Sequence, residues 1–308
     1  MKKITVNASR KYDVIMEEGS LKKAGEYICQ VLFSSADGSP SKAPEGKKIC
    51  IITDATVDKL YGQKDHDLWA SLEDKSFDVH KYVFPGGESY KTLETVSGIL
   101  EYLAENNFTR SDLLLALGGG ITGDITGFAA ATFLRGIEFV QVPTSLLAIV
   151  DSSVGGKTGV NLSSGKNLAG AFWQPSLVLF DPNVLDTLSY DLKLDGIAEA
   201  IKAGFIANAD ILSLIEEQND LSDVSFLTYL AAMAVEVKRQ VVEEDERESG
   251  SRQLLNLGHT IAHAIEKCSN YEISHGHAVA MGMAIISRAA DDVGLCDEGC
   301  FDTMIKAL

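Results

Sequence analysis

LLLALGGGITGDITGFAAATFL, residues 113–134, decides the fold class. Five apolar residues run without a polar break into three glycines, the pattern of a strand buried on both faces. A helical segment, TGDITGFAAATFL, follows, and then a second strand, EFVQVP. Gly118, Gly120 and Gly123 satisfy GxGxxG directly after the first strand. Glycine there lets backbone N–H groups approach an anion, and a helix N-terminus adds partial positive charge. Tight strand–turn–helix packing explains the same residues nearly as well, and the pattern sits mid-chain rather than in a first βαβ unit.

Upstream, the chain alternates in the same way. ITVN and YDVIM read as a hairpin-type start, LKKAGEYICQVLF as a helix, KKICIITD and DVHKYVFP as strands and TLETVSGILEYLAENN as an amphipathic helix. Between them SSADGSPSKAPEG (Ser34 to Gly46) carries the Ser, Pro and Gly of a mobile surface loop. Asp54 closes a strand where it could accept from ribose hydroxyls, and Gly86-Gly87-Glu88 with Lys91 forms a second glycine turn. From about Asn183 the strand signals stop and helices follow one another. The expected organisation is a Rossmann-like α/β nucleotide-binding half, residues 1–184, and an all-α half, residues 185–308, with ligands in the cleft between them.

Composition narrows the function. The chain has 308 residues, 45% hydrophobic and 23% charged, with a formal net charge of −17. So acidic a surface argues against nucleic acid and anionic membrane as partners. Five cysteines without a CxxC spacing suit a reducing compartment. Met1-Lys2-Lys3 is followed by Asn7, Ser9, Arg10 and Lys11 rather than an apolar signal core, and no run reaches a membrane span. The expectation is a cytoplasmic protein.

Four of the six histidines, His259, His263, His275 and His277, fall within RQLLNLGHTIAHAIEKCSNYEISHGH, residues 252–277. Imidazole is the commonest metal ligand. LLNLGHTIAHAIEK reads as helix, so Arg252, Asn256, His259 and His263 would share one polar stripe. Glu199 and Lys202, three apart among Ile197, Ala198, Ala200 and Ile201, offer a carboxylate that could complete a three-ligand catalytic zinc site with two histidines. Spacing leaves the choice of histidines open, since His259 with His263 and His275 are equally available. DSSVGGKTGVN (Asp151 to Asn161) and SGKNLAG (Ser164 to Gly170) each put a lysine in a glycine-rich turn able to cradle phosphate oxygens.

In that order, GGGITGDITGFAAATFLRG, VPTSLLAIVDSSVGGKTGVN, GKNLAGAFWQP, GIAEAIKAG, RQLLNLGHTIAHAIE and HGHAVAMGM resemble the 3-dehydroquinate synthase family over almost the whole chain. The resemblance implies bound NAD in residues 1–184 and a helical metal- and substrate-binding domain in 185–308. The metal is expected to be zinc, with cobalt as an alternative, and the substrate a small anionic sugar-acid phosphate, 3-deoxy-D-arabino-heptulosonate 7-phosphate. It places metal ligands at Glu199, His259 and His275 and an acid/base or orienting group at His263. Asp54, Glu88, Lys91, Gly119, Gly120, Asp124, Thr144 and Ser145 fall on its NAD positions. Lys157, Lys166, Asn167, Lys202, Lys238, Arg252 and Asn256 fall on its substrate positions, with Asp151 on a substrate hydroxyl. Arg135 falls on an arginine that reaches the substrate phosphate across a homodimer interface.

Such a site would oxidise an alcohol with NAD and a Lewis acid, eliminate phosphate beside the new ketone, return the hydride, and close the ring by an aldol step. Two departures are visible. His277 stands where the family commonly has Glu, beside a ligand, where it could compete for metal. The chain also ends at Leu308, where the family continues through further helices, so the helical domain reads as truncated. Rival readings are another sugar-phosphate cyclase, a metal-dependent alcohol dehydrogenase, and a non-catalytic NAD-binding scaffold.

Overall fold

Leu113–Gly118 is buried at every position and is an inner strand of a seven-stranded sheet. The computed structural model describes residues 1–34, 43–297 and 299–308; most of the surface loop expected over Ser34 to Gly46 lies outside the described residues. By packing the chain divides into two units, Met1–Thr144 with Ser152–Val184, and Ser145–Asp151 with Leu185–Leu308.

In the first unit the strands are β1 (Lys2–Asn7), β2 (Lys11–Met16), β3 (Lys48–Asp54), β4 (Asp78–Phe84), β5 (Leu113–Gly118), β6 (Glu138–Pro143), β7 (Lys157–Leu162), β8 (Gly165–Phe172) and β9 (Leu177–Phe180). The helices are α1 (Ala24–Leu32), α2 (Ala55–Tyr61), α3 (Asp67–Asp74), α4 (Leu93–Glu105) and α5 (Gly120–Thr132). The sheet runs β1-β2-β9-β6-β5-β3-β4. The β1–β2 hairpin is antiparallel, with Lys2 opposite Met16, and the other pairings are parallel. The central strands carry apolar residues on both faces because helices cover both, as the unbroken LLLAL run requires. Cys50, Ile52, Leu114 and Phe139 from strands meet Val96, Ile99 and Leu103 of α4 and Ile125 and Ala129 of α5 in one core cluster.

β7 and β8 form a separate antiparallel pair with a register shift between Val160 and Leu162. This corrects the reading of two lysine-bearing turns: Lys157 opens β7, and Lys166 and Asn167 lie within β8. Gly159 faces Gly170 across the pair, and a Cβ on Gly170 would sit 2.1 Å from the Thr158 carbonyl. These glycines admit close backbone approach within an extended pair instead of making a phosphate-cradling turn.

The second unit is helical: α6 (Tyr190–Ala207), α7 (Asp210–Glu216), α8 (Val224–Glu244), α9 (His259–Cys268), α10 (His275–Asp292) and α11 (Cys300–Ala307). A π-helical turn spans Ala148–Ser152. Ser189 and Asp223 cap α6 and α8 by accepting backbone N–H bonds. Ile197, Ala200 and Ile201 of α6, Leu227, Leu230 and Ala234 of α8, and Val279 and Met283 of α10 are buried.

The continuous polar stripe expected over residues 252–263 is not one helix. Ser251–Asn256 is a 3₁₀ segment, and α9 begins only after Gly258, at φ +78°. A Cβ on Gly258 would lie 2.8 Å from the Met283 amide, and one on Gly282 2.2 Å from the Gly258 carbonyl. The break is therefore where α10 crosses the start of α9 at backbone contact, which the apolar periodicity of LLNLGHTIAHAIEK conceals.

Candidate active site

In the second unit one buried carboxylate organises the charged groups. Glu199, midway along α6, is 3% exposed. Its Oε1 lies 3.7 Å from His259 Nε2, at the start of α9, and 3.5 Å from His275 Nε2, at the start of α10. One ligand atom from each of the three residues falls within 4.8 Å of the others. Helix ends suit this task, because short connections bring α9 and α10 back toward the middle of α6.

The far sides of both rings are held. His259 Nδ1 is 3.2 Å from the Leu257 carbonyl and His275 Nδ1 is 3.3 Å from the buried carboxylate of Glu266. Such partners put the ring proton on Nδ1 and aim the Nε2 lone pair inward, the usual support of a metal-bound histidine. Neither oxygen of Glu199 accepts a well-formed hydrogen bond, although the ammonium of Lys202 touches Oε2. A buried carboxylate with unsatisfied oxygens is costly, and a divalent cation between Oε1 and the two Nε2 atoms would satisfy it. The residues fit the expected metal.

Electrostatics agree. Burial would raise the Glu199 carboxyl, but Lys202 outweighs it and holds the group at about 2. Burial lowers the His259 imidazole to about 4, with Lys202 adding to the effect, so the ring is neutral. His275 moves the other way: despite burial, Glu199 and Glu266 hold its proton up to about 9. A cation at the centre would take that proton's place.

Around this centre stand Lys202 (2% exposed), Lys238 (7%) and Arg252 (1%). Lys238 Nζ donates to the Asp151 carbonyl at 2.6 Å and to its carboxylate. Burial pulls the Lys238 ammonium down to about 8 against the attraction of Asp151. Burial works against ionised Asp151 too, but Lys238 and Lys202 hold it well below the usual carboxylate range. Arg252 donates to the Glu246 carbonyl. Asn256 is exposed and donates to Glu248 at 2.8 Å. His263, exposed, places its ring 5.7 Å from that of His259 and 6.4 Å from that of His275, beside the converging ligand atoms and not among them. His277 does not turn to the centre either; its Nδ1 lies 2.8 Å from Asp195.

The first unit gathers a second polar set. β5 ends at Gly118, and Gly119 is the N-cap of α5 without any side-chain cap. The first N–H groups of a thirteen-residue helix are thus available to an anion such as a dinucleotide pyrophosphate, an arrangement that fits the expected NAD. Gly123 also serves packing, since a Cβ there would meet Gln141 Oε1 at 2.5 Å. Asp54 caps α2 through Oδ1, accepting from Thr56 and Val57, and Gly86, at φ +89°, lies against it. Lys91, buried, donates to Asp124 and to Asn167, each at 2.6 Å. Glu88 accepts from Asn161 at 2.8 Å and pairs with Lys166 at 3.4 Å. Lys166 and Asn167, read as substrate contacts, thus join Glu88, Lys91 and Asp124, read as cofactor contacts. Thr144 is buried with its N–H on the Gly118 carbonyl, while Ser145 Oγ accepts from the Ala148 N–H within the second unit. Lys157 and Arg135 are exposed, and Arg135 follows Leu134 in left-handed backbone at φ +69°.

Two contributors escaped the sequence reading. Glu266 lies seven residues after His259 on the same helix, a spacing that would have placed it on the histidine face. Asp195 lies four before Glu199, and that i, i+4 pair of acids within an apolar helix was the available signal.

Residues 81–194 match the profile of the 3-dehydroquinate synthase N-terminal domain and residues 196–308 that of the C-terminal domain. A 3-dehydroquinate synthase of Clostridium acetobutylicum is 43% identical over 290 residues, which is 94% of this chain and 77% of that one. The structure of a 2-deoxy-scyllo-inosose synthase complexed with carbaglucose-6-phosphate, NAD+ and Co2+ superimposes with a TM-score of 0.84 at 28% identity, covering 100% of this chain and 80% of that one. ValA, a 2-epi-5-epi-valiolone synthase of Streptomyces hygroscopicus with NAD+ and Zn2+ bound, gives a TM-score of 0.84 at 28% identity, covering 99% and 82%. With both halves matched by paired profiles and nearly the whole chain by a relative at this identity, the chain belongs to the 3-dehydroquinate synthase family.

Proposed function

We propose that the chain is a 3-dehydroquinate synthase, converting 3-deoxy-D-arabino-heptulosonate 7-phosphate to 3-dehydroquinate and phosphate. The observation that carries this reading is the convergence of Glu199, His259 and His275 beside three buried cations. A divalent ion held by those three residues would supply Lewis acidity at the reacting alcohol, and NAD held in the first unit would accept and return the hydride.

The chain's own residues account for the rest. Arg252 presents a planar donor fork suited to a carboxylate, while Lys202 and Lys238 act as point charges. Lys238, brought to about 8 by burial, can hold or release a proton at Nζ near neutral pH. Asp151, ionised beside it, is placed to accept from a substrate hydroxyl. His263 stands beside both ligand rings as an orienting or proton-handling group. Lys157, Lys166, Asn167 and Asn256 are assigned to substrate, and Arg135 to the substrate phosphate across a homodimer. Asp54, Glu88, Lys91, Gly119, Gly120, Asp124, Thr144 and Ser145 are assigned to NAD. Net redox is nil, so phosphate release without accumulating NADH is the signature.

The test is turnover of the purified chain with Zn2+ or Co2+ and NAD, following phosphate and product together. Stoichiometric NADH would instead indicate an alcohol dehydrogenase, and NAD binding without turnover a scaffold. Two of the solved neighbours are synthases with other names, one of them complexed with carbaglucose-6-phosphate, so hexose phosphates belong in the same assay; their faster turnover would replace the substrate assigned here.

A further inference from the structure

Asp195 lies one turn before Glu199 on α6 and is 4% exposed. Its Oδ1 accepts from Ser274 Oγ at 2.6 Å, from the His277 backbone N–H at 3.0 Å and from His277 Nδ1 at 2.8 Å. All three donors come from the N-cap and first turn of α10, the helix that opens with His275. The first N–H groups of a helix lack partners within it, and the N-cap side chain ordinarily takes one of them. Ser274 occupies that position in extended backbone but makes no capping hydrogen bond; its hydroxyl donates to Asp195 and also lies 2.8 Å from His277 Nδ1. The N-terminus of α10 is thus capped by a carboxylate from another helix, where negative charge also suits the helix dipole. Gly276 permits the approach, because a Cβ there would lie 2.3 Å from Asp195 Cα.

The geometry points to Asp195 as a positioning residue for His275, acting through Ser274 and His277. This inference rests on the metal reading of the site. His275 leaves α10 at its first residue, where a helix frays most readily. Glu266 orients the ring from one side but does not hold the backbone that carries it. Asp195 holds the segment on either side of His275, through the Ser274 side chain and the His277 backbone N–H. Because residues four apart share a helix face, α6 offers one ligand through Glu199 and fixes the place of another through Asp195. His277, with its Nδ1 proton directed to a carboxylate, serves this anchor and not the ion.

The experiment compares Zn2+ affinity, by competition with a chromophoric chelator, in the full chain and in Asp195→Ala and Asp195→Asn. Loss of a partner that orients a ligand typically costs about 10–100-fold in metal affinity. That loss is expected for Asp195→Ala, and a smaller one for Asp195→Asn, whose amide oxygen still accepts. The Co2+ ligand-field spectrum should change in Asp195→Ala, and amide exchange over residues 275–278 of the metal-free protein should quicken. General loss of stability would not alter the spectrum of the bound ion. Wild-type affinity and an unchanged spectrum in Asp195→Ala overturn the inference while leaving the metal reading intact. Failure of the unaltered chain to bind Zn2+ or Co2+ overturns both. If Asp195→Ala does not fold, Ser274→Ala/His277→Ala removes the side-chain donors from the other side and is judged by the same criteria.

Discussion

Lys91 and Glu199 are each buried charges inside a polar cluster, yet they are treated oppositely. Lys91, in the first unit, finds Asp124 and Asn167 at 2.6 Å each. Glu199, in the second, has two buried oxygens without a well-formed hydrogen bond and two imidazole nitrogens facing it at 3.5 and 3.7 Å. The first arrangement is satisfied by the protein itself. The second is met at Oε2 by the Lys202 ammonium, while Oε1 is left facing two imidazoles across a gap that an ion would fill. Burial alone therefore does not distinguish a structural charge from a functional one; the state of its hydrogen-bond partners does.

That contrast breaks most sharply at His259. Its replacement in His259→Gln should lower metal affinity by more than the roughly hundredfold cost of losing a supporting residue, and turnover should fall with it. The unfolding free energy of the metal-free protein should change by only about 1 kcal/mol, because the ring is neutral and its one hydrogen-bond partner is a carbonyl. Metal content after dialysis and a denaturant titration check the two halves. A stability loss equal to the metal loss would erase the distinction between the regions.

Lys91→Met should show the opposite behaviour. Removing the buried ammonium takes one partner from half-buried Asp124 and costs about 1–3 kcal/mol, visible by denaturant unfolding with neither metal nor dinucleotide added. Zn2+ affinity should stay within about twofold. Weakened Zn2+ binding would show that the two clusters are coupled.

A third, smaller effect sharpens the comparison with a charge satisfied mainly by backbone, with the Ser249 hydroxyl adding a bond at 3.2 Å. The Asp245 carboxylate accepts from the N–H groups of Ser249, Gly250 and Arg252, which lower it from 3.8 to about 2. Its folded pKa lies below its unfolded one, so the stabilisation is fully present above about pH 4. It is lost as pH falls through about 2. An NMR titration of this carboxyl reads the shift directly, and a midpoint near 3.8 would sink the claim.

The α/β half was legible because LLLAL and KICII must be strands buried on both faces, and the glycines after Gly118 mark the turn into a helix. The convergence of Glu199, His259 and His275 was not legible from spacing. The histidines four apart on α9 are the familiar pair, yet the structure joins His259 to a residue sixteen positions away and to a carboxylate sixty positions back. Tertiary contact decides such a set, and a resemblance supplied what periodicity lacked. The polar stripe through Arg252 and Asn256 failed for a related reason: helical period was read straight through Gly258, where a positive φ ends one segment before α9 begins. The two lysine turns became a strand pair because Gly159 and Gly170 face one another, and glycine content by itself cannot tell a bend from a backbone contact.

The crossing of Gly258 with Gly282 bears on how this centre could evolve or be redesigned. With backbone against backbone there, there is no side chain to trim or enlarge, so the spacing between the two histidine-bearing helices is close to a constant. Selection for a different ion would have to work by exchanging donor atoms at fixed places, since the route of resizing the cage is closed. Variant libraries aimed at metal preference should therefore leave 258 and 282 untouched and sample the residues that face the ion.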